Sequence, residues 1–183
     1  EQDSFYVRPN HTYVLLSARV SDTVTFTGHI SDDPLFFEMS WQVLPELQLK
    51  AGKLLVPFGS NEFHHLIGGR VDELSHFLPE TWADYGVGLS WTAVDAADWS
   101  LDVDLAAVNG FSGRDAPTIA VGSLADNNAN KAIALRLRAR FLNYYRIIAS
   151  AYYDVWDADD TYNMVFYSLA AELSPGFVDL PVL

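Results

Sequence analysis

The sequence predicts an all-β fold, an antiparallel transmembrane β-barrel with about nine to ten strands in this chain. Three properties carry that expectation. Apolar and polar residues alternate with period two, several runs last roughly nine to thirteen residues, and short and long connections succeed one another in a regular way.

The alternation begins near residue 11 and is first clear where Val24 and Phe26 oppose Thr23, Thr25 and Thr27. Leu35, Phe37, Met39 and Trp41 then oppose Phe36, Glu38 and Ser40. A further extended run ends at Pro57, Phe58 and Gly59, and alternation resumes with Val87, Leu89 and Trp91 against Gly86, Gly88 and Ser90. Trp99, Leu101, Val103 and Leu105 oppose Ser100, Asp102 and Asp104. The clearest case is 129 to 141, "ANKAIALRLRARF", with Ile133, Leu135, Leu137, Ala139 and Phe141 on one face and Ala134, Arg136, Arg138 and Arg140 on the other. A helix would scatter those three arginines around its axis, so the strand period wins. Ile147, Ala149, Ala151, Tyr153 and Val155 oppose Arg146, Ser150, Tyr152 and Asp154, the pattern runs on to about 173, and a tenth strand is expected from Phe177.

Alternation is shared by soluble sandwiches, whose strands also have one dry and one wet face. The runs here exceed the five or six residues usual in soluble strands and suit the roughly nine to eleven of membrane strands. Connections add direction. Short links "VSD", "LPE", "VDAAD", "LNY" and "SPG" alternate with "SDDP", the long 57 to 82, the long 109 to 128 and "DADD". In an up-and-down meander the long links emerge at one end and the short ones at the other, as in outer-membrane barrels.

Composition excludes other classes. Of 183 residues half are hydrophobic, so disorder from low hydrophobicity is not expected, and one domain spanning 1–183 is the natural count. With 24 acidic against 11 basic residues and a net charge of −13, a nucleic-acid partner is not expected. Zero cysteines remove disulfides and thiolate metal sites. "EQDSFYVRPN" lacks the charged start and apolar core of a signal peptide, which is read as removed, and no apolar run reaches the length of a membrane helix.

The stretch "LQLKAGKLLVPFG", followed by "FLPETWADYGVGLSW", resembles the phosphate-selective porin family of outer-membrane porins, through Gly52, Lys53, Pro57, Phe58, Gly59, Leu78, Pro79, Gly86 and Gly88. The match covers about a quarter of the chain. It implies a sixteen-stranded, trimeric passive channel in the Gram-negative outer membrane, whose long loop folds inward to narrow the pore. Family members are about twice as long and close on an aromatic residue, whereas this chain ends "GFVDLPVL", so a partial porin barrel is expected.

On that reading no chemical step occurs and no catalytic residue is needed. Pore-lining residues are expected at Arg136, Arg138, Arg140, Lys50, Arg146, Glu38, Asp102 and Asp104, and constriction-loop residues at Lys53, Phe58 and Arg70. The solutes are small, hydrophilic and in part anionic. The partners are outer-membrane lipid and lipopolysaccharide, with Ca2+ or Mg2+ held weakly at an acidic rim of Asp32, Asp33, Asp157, Asp159 and Asp160. Glu62, His64, His65, Asp72, Glu73 and His76 are ordinary loop residues on this view, since they lack a short metal-ligand spacing. Ser60, His64 and Asp72 could be written as a hydrolase triad, but no nucleophile-elbow pattern frames the serine. The second reading is a soluble secreted β-sandwich that binds carbohydrate through exposed aromatics, and the third is an outer-membrane hydrolase using the His64 region.

Overall fold

The computed structural model describes residues 14–29, 36–59, 82–112, 124, 128–142 and 144–173. They form nine strands: β1 (Leu15–Arg19), β2 (Val24–His29), β3 (Phe37–Leu44), β4 (Leu47–Leu55), β5 (Ala83–Asp95), β6 (Trp99–Val108), β7 (Ala132–Phe141), β8 (Tyr145–Val155) and β9 (Asn163–Leu173). Each strand pairs antiparallel with the next, giving one sheet in chain order, and the described residues contain no helix. The sheet is not closed. β1 and β9 stand at its two edges, so the expected barrel is found only as an open meander of nine strands. The tenth strand expected from Phe177 lies outside the described residues.

Consecutive antiparallel order sorts the connections by end. Links 20–23, 45–46, 96–98 and 142–144 share one end; 30–36, 56–82, 109–131 and 156–162 share the other. The short links, of two to four residues, fix register firmly, and the two bulges, at Gln42/Leu44 and Thr92/Val94, both lie beside them.

Register puts every alternating set on a common face. Asp104 pairs with Arg136 and Ser90, Asp102 with Arg138 and Thr92, and Arg140 with Ser100 and Arg146. Charged Asp104 and Arg136 are buried while Leu105 and Leu137, their chain neighbours, are exposed. A lone flat sheet would expose both faces alike, so the charged face is enclosed by curvature. The link after β4 measures it. Gly59 donates its N–H to Ser150 Oγ of β8 at 3.1 Å, four residues after Leu55. Four residues span at most roughly 14 Å, whereas four strand spacings along the sheet are roughly 19 Å. The chain crosses the hollow instead of following its wall.

Gly52 sits at a close approach between strands. Its φ is +139°, and a side chain there would collide with the Phe37 carbonyl of β3. The main apolar cluster lies on the concave face, where Ala106, Val108, Ala132, Ala134 and Tyr152 meet Val56, Trp82 and Phe111 from the long links.

Candidate functional site: a divided hollow

The concave face has two halves. Toward the short links it is charged, and three strands share its central ion pair. Arg136 donates from Nε and Nη2 to Asp104 Oδ2, at 3.1 and 2.9 Å. Arg138 Nη2 reaches the same oxygen at 3.1 Å, and Ser90 Oγ donates to Asp104 Oδ1 at 2.7 Å. Alternation explains the assembly, because period two brings acid, base and hydroxyl to one face, and register then sets them side by side. Thr92 Oγ1 bonds Asp102 at 2.9 Å, Arg146 pairs with Glu172 at 2.9 Å, and Lys50 Nζ lies 3.9 Å from Glu38. Between these groups lies a cavity of about 370 Å³, walled by Glu38, Gln48, Lys50, Ser90, Asp104, Arg136 and Arg138 together with Phe36, Leu55 and Val56.

All eight residues expected to line a pore, Glu38, Lys50, Asp102, Asp104, Arg136, Arg138, Arg140 and Arg146, therefore share the concave face. They do not form a row of equal cations. Arg136 is 6% exposed and held against Asp104, while Arg140 and Arg146 are open to solvent.

Toward the long links the hollow is filled by aromatic rings. Trp82 lies 4.6 Å from Tyr152, 5.3 Å from Phe111 and 5.6 Å from Phe58, ring centre to ring centre, and Tyr152 stacks on Phe166 at 5.9 Å. Two buried carboxylates tie the 109–131 link to the wall. Gly110 N–H donates to Asp84 Oδ2 at 2.6 Å, and Phe111 N–H to Asp154 Oδ2 at 2.7 Å, which also accepts from the Tyr152 hydroxyl at 3.1 Å. Gly110 has φ +96°, and a Cβ there would strike the Asp154 carboxylate, so the fastening needs glycine. Phe58 packs against Trp82 and Phe166 within this cluster.

Lys53 corrects the expectation for the constriction. It belongs to β4, not to the link, and its register partners Phe37 and Tyr85 put it on the convex face, where its ammonium lies 5.8 Å from the centre of the Tyr85 ring. Strand alternation is the reason: Leu54, next in the chain, is the residue that turns inward and is buried. Arg70 and the segment containing Ser60, His64, His65, Asp72 and His76 lie outside the described residues, as do Asp32 and Asp33. Among the described residues no three His, Asp or Glu side chains gather as metal ligands.

Asp157 acts within its own link. Its carboxylate accepts the Thr161 and Tyr162 amides at 2.7 to 3.0 Å. Partial burial pulls this carboxyl upward, and the amide hydrogen bonds more than offset it, holding the group below the usual carboxylate range.

The convex face is the other half of the arrangement. Met39, Trp41, Val87, Trp91, Leu105, Ile133, Tyr153, Val165 and Tyr167 are exposed there, Tyr167 at 80% and Leu169 at 79%. Among the described strand residues Lys53 is the one charge on this face. Aromatic residues stand at both ends of several outward rows: Tyr145 and Tyr153 in β8, Tyr85 and Trp91 in β5, Phe37 and Trp41 in β3. Comparison with known proteins gives no match to any family model, curated protein or solved structure.

Proposed function

We propose that the chain forms wall and constriction of an outer-membrane porin, through which small hydrophilic solutes, anions among them, diffuse passively. One observation carries the reading: a broad exposed apolar face edged by aromatics lies back to back with an enclosed charged face. In water the exposed face would be a costly apolar patch far larger than monomeric proteins present. In a bilayer it is the surface that membrane barrels turn to lipid. Tyr145 and Tyr153 lie eight residues apart, or roughly 27 Å along the strand, which a tilt of about 40° projects to about 21 Å, slightly less than the roughly 25 Å apolar band of such barrels. The residues quoted for the porin resemblance support it from the sequence side.

On this reading the open edges β1 and β9 are paired in the membrane by further strands, because unpaired backbone groups cannot face hydrocarbon. A trimer of sixteen-stranded barrels is one such completion. The aromatic half narrows the passage, and the charged half forms a vestibule in which Glu38, Asp102, Asp104 and Glu172 nearly balance Lys50, Arg136, Arg138, Arg140 and Arg146. That balance favours weak selectivity over a strict anion filter. No residue has a chemical step to perform. The Asp157 carboxylate caps its own turn through the Thr161 and Tyr162 amides.

Reconstitution into planar lipid bilayers tests the proposal. Stepwise, ohmic ion conductance is the expected result. A protein that stays folded and monodisperse without detergent and leaves the bilayer silent is the soluble sandwich instead.

A further inference from the structure

The charged half of the hollow holds a second ion pair, apart from the one shared at Asp104. Lys50 on β4 and Glu38 on β3 both wall the cavity of about 370 Å³, and their side chains are 28% and 19% exposed. Lys50 Nζ stands 3.9 Å from Glu38 Oε1, beyond hydrogen-bond reach, so attraction holds the two while neither satisfies the other. Among the described residues the ammonium has no nearer acceptor, and the Glu38 carboxylate accepts one hydrogen bond, from Ser40 Oγ at 3.1 Å. The Gln48 side-chain amide, two residues from Lys50 on the same wall, makes no hydrogen bond among the described residues. The cavity's other charges are committed to one another, with Arg136 and Arg138 meeting on Asp104.

We propose that this pair binds the zwitterionic head of a free α-amino acid, its carboxylate on Lys50 and Gln48 and its ammonium on Glu38. Spacing selects that class. The two charges of an α-amino acid stand about 2.5 Å apart across one carbon, so its dipole, laid antiparallel beside a Lys–Glu dipole of 3.9 Å, brings each charge to its opposite. A lone anion would meet Glu38 and a lone cation Lys50, each gaining one attraction and one repulsion. A volume of about 370 Å³ lies at the small end of ligand sites, which suits one compact molecule. Phe36 and Val56, buried at the plugged end of the cavity, leave an apolar corner for a small side chain. That the site lies on a solute route rests on the porin reading, and on it amino acids are the solutes the vestibule gathers.

Saturation-transfer NMR on the full chain folded in neutral detergent tests the site with four probes: alanine; lactate, which lacks the ammonium; alaninamide, which lacks the carboxylate; and γ-aminobutyrate, whose charges stand further apart. Alanine should bind roughly fivefold more tightly than each of the others, the worth of one partly exposed charge contact. Glu38→Gln should erase its advantage over lactate, Lys50→Gln its advantage over alaninamide, and Lys50→Arg should keep both. Equal binding of alanine, lactate and alaninamide to the unaltered protein overturns the site, as does an advantage that survives both glutamine variants. Binding of γ-aminobutyrate as tight as that of alanine overturns the α-amino acid class. Planar-bilayer recordings separate the site from the channel: ohmic steps without the alanine preference sink the site alone, the preference without steps sinks the channel alone, and absence of both sinks the two together.

Discussion

The two halves of the concave face are built from the same strands yet solve different problems. Along β7 the buried row runs Ala132, Ala134, Arg136 and then the more open Arg138 and Arg140; along β8 it runs from Asp154 and Tyr152 down to exposed Arg146. Small alanines at one end make room for rings that arrive from the long links. Long arginines at the other leave no such room and need water or carboxylates instead. Side-chain size along a strand therefore decides where the hollow is plugged and where it stays open.

Breaking the boundary between the halves should have the largest effect. Asp104 accepts from two guanidinium groups and a serine hydroxyl, so Asp104→Ala removes the shared carboxylate of a buried ion pair. A loss of about 3–5 kcal/mol is expected, measured by urea unfolding in detergent, with Arg136→Ala close behind. Next comes the plug. Trp82→Ala should cost about 3–5 kcal/mol and, in protein that still folds, raise single-channel conductance, because the ring bridges Tyr152, Phe111 and Phe58 across the hollow. Unchanged conductance would make the cluster a structural core with the passage elsewhere.

Smaller effects sharpen the charged half. Replacing Arg138 and Arg140 by glutamine removes two cations from the wetter part of the hollow. Reversal potential in a salt gradient should then shift toward cations, with stability nearly unchanged at Arg140. The smallest effect is expected at the rim. The Asp157 carboxyl is depressed in the folded protein, so its contribution is complete above the ordinary carboxylate value of about 3.9. That contribution is lost as pH falls through the lower folded value. Trp156 fluorescence should report loosening of the 156–162 link only below about pH 4, and at higher pH in Asp157→Asn.

The charged half was legible in the sequence, and the plug was legible only in part. Period two alone put Arg136, Arg138, Asp102 and Asp104 on one face, because alternation is a local property of a strand. What it could not supply was pairing: that Arg136 and Arg138 share Asp104 follows from the register of β6 against β7, set by a link of 23 residues. Trp82, Asp84, Tyr152 and Asp154 were missed as a group for the same reason, since Trp82 and Tyr152 touch only once the sheet curls. A signal did exist in Asp84 and Asp154, acidic residues in otherwise weakly polar strand ends. The motif "GKLLVPFG" does not show which way Lys53 points, because strand parity sends Lys53 outward and Leu54 inward.

The central claim is that the convex face meets lipid, the charged half meets water and the plugged half meets neither. Because the chain has no cysteine, single cysteines can be introduced at Leu137, Ala139, Arg138, Arg140, Ala134 and Tyr152 and spin-labelled in liposomes. Collision with oxygen, which concentrates in lipid, and with a water-soluble nickel chelate is then measured by electron paramagnetic resonance. The account predicts oxygen access at 137 and 139, nickel access at 138 and 140, and protection from both at 134 and 152. Protection of 137 and 139 from oxygen, as a second sheet packed over them would give, contradicts it.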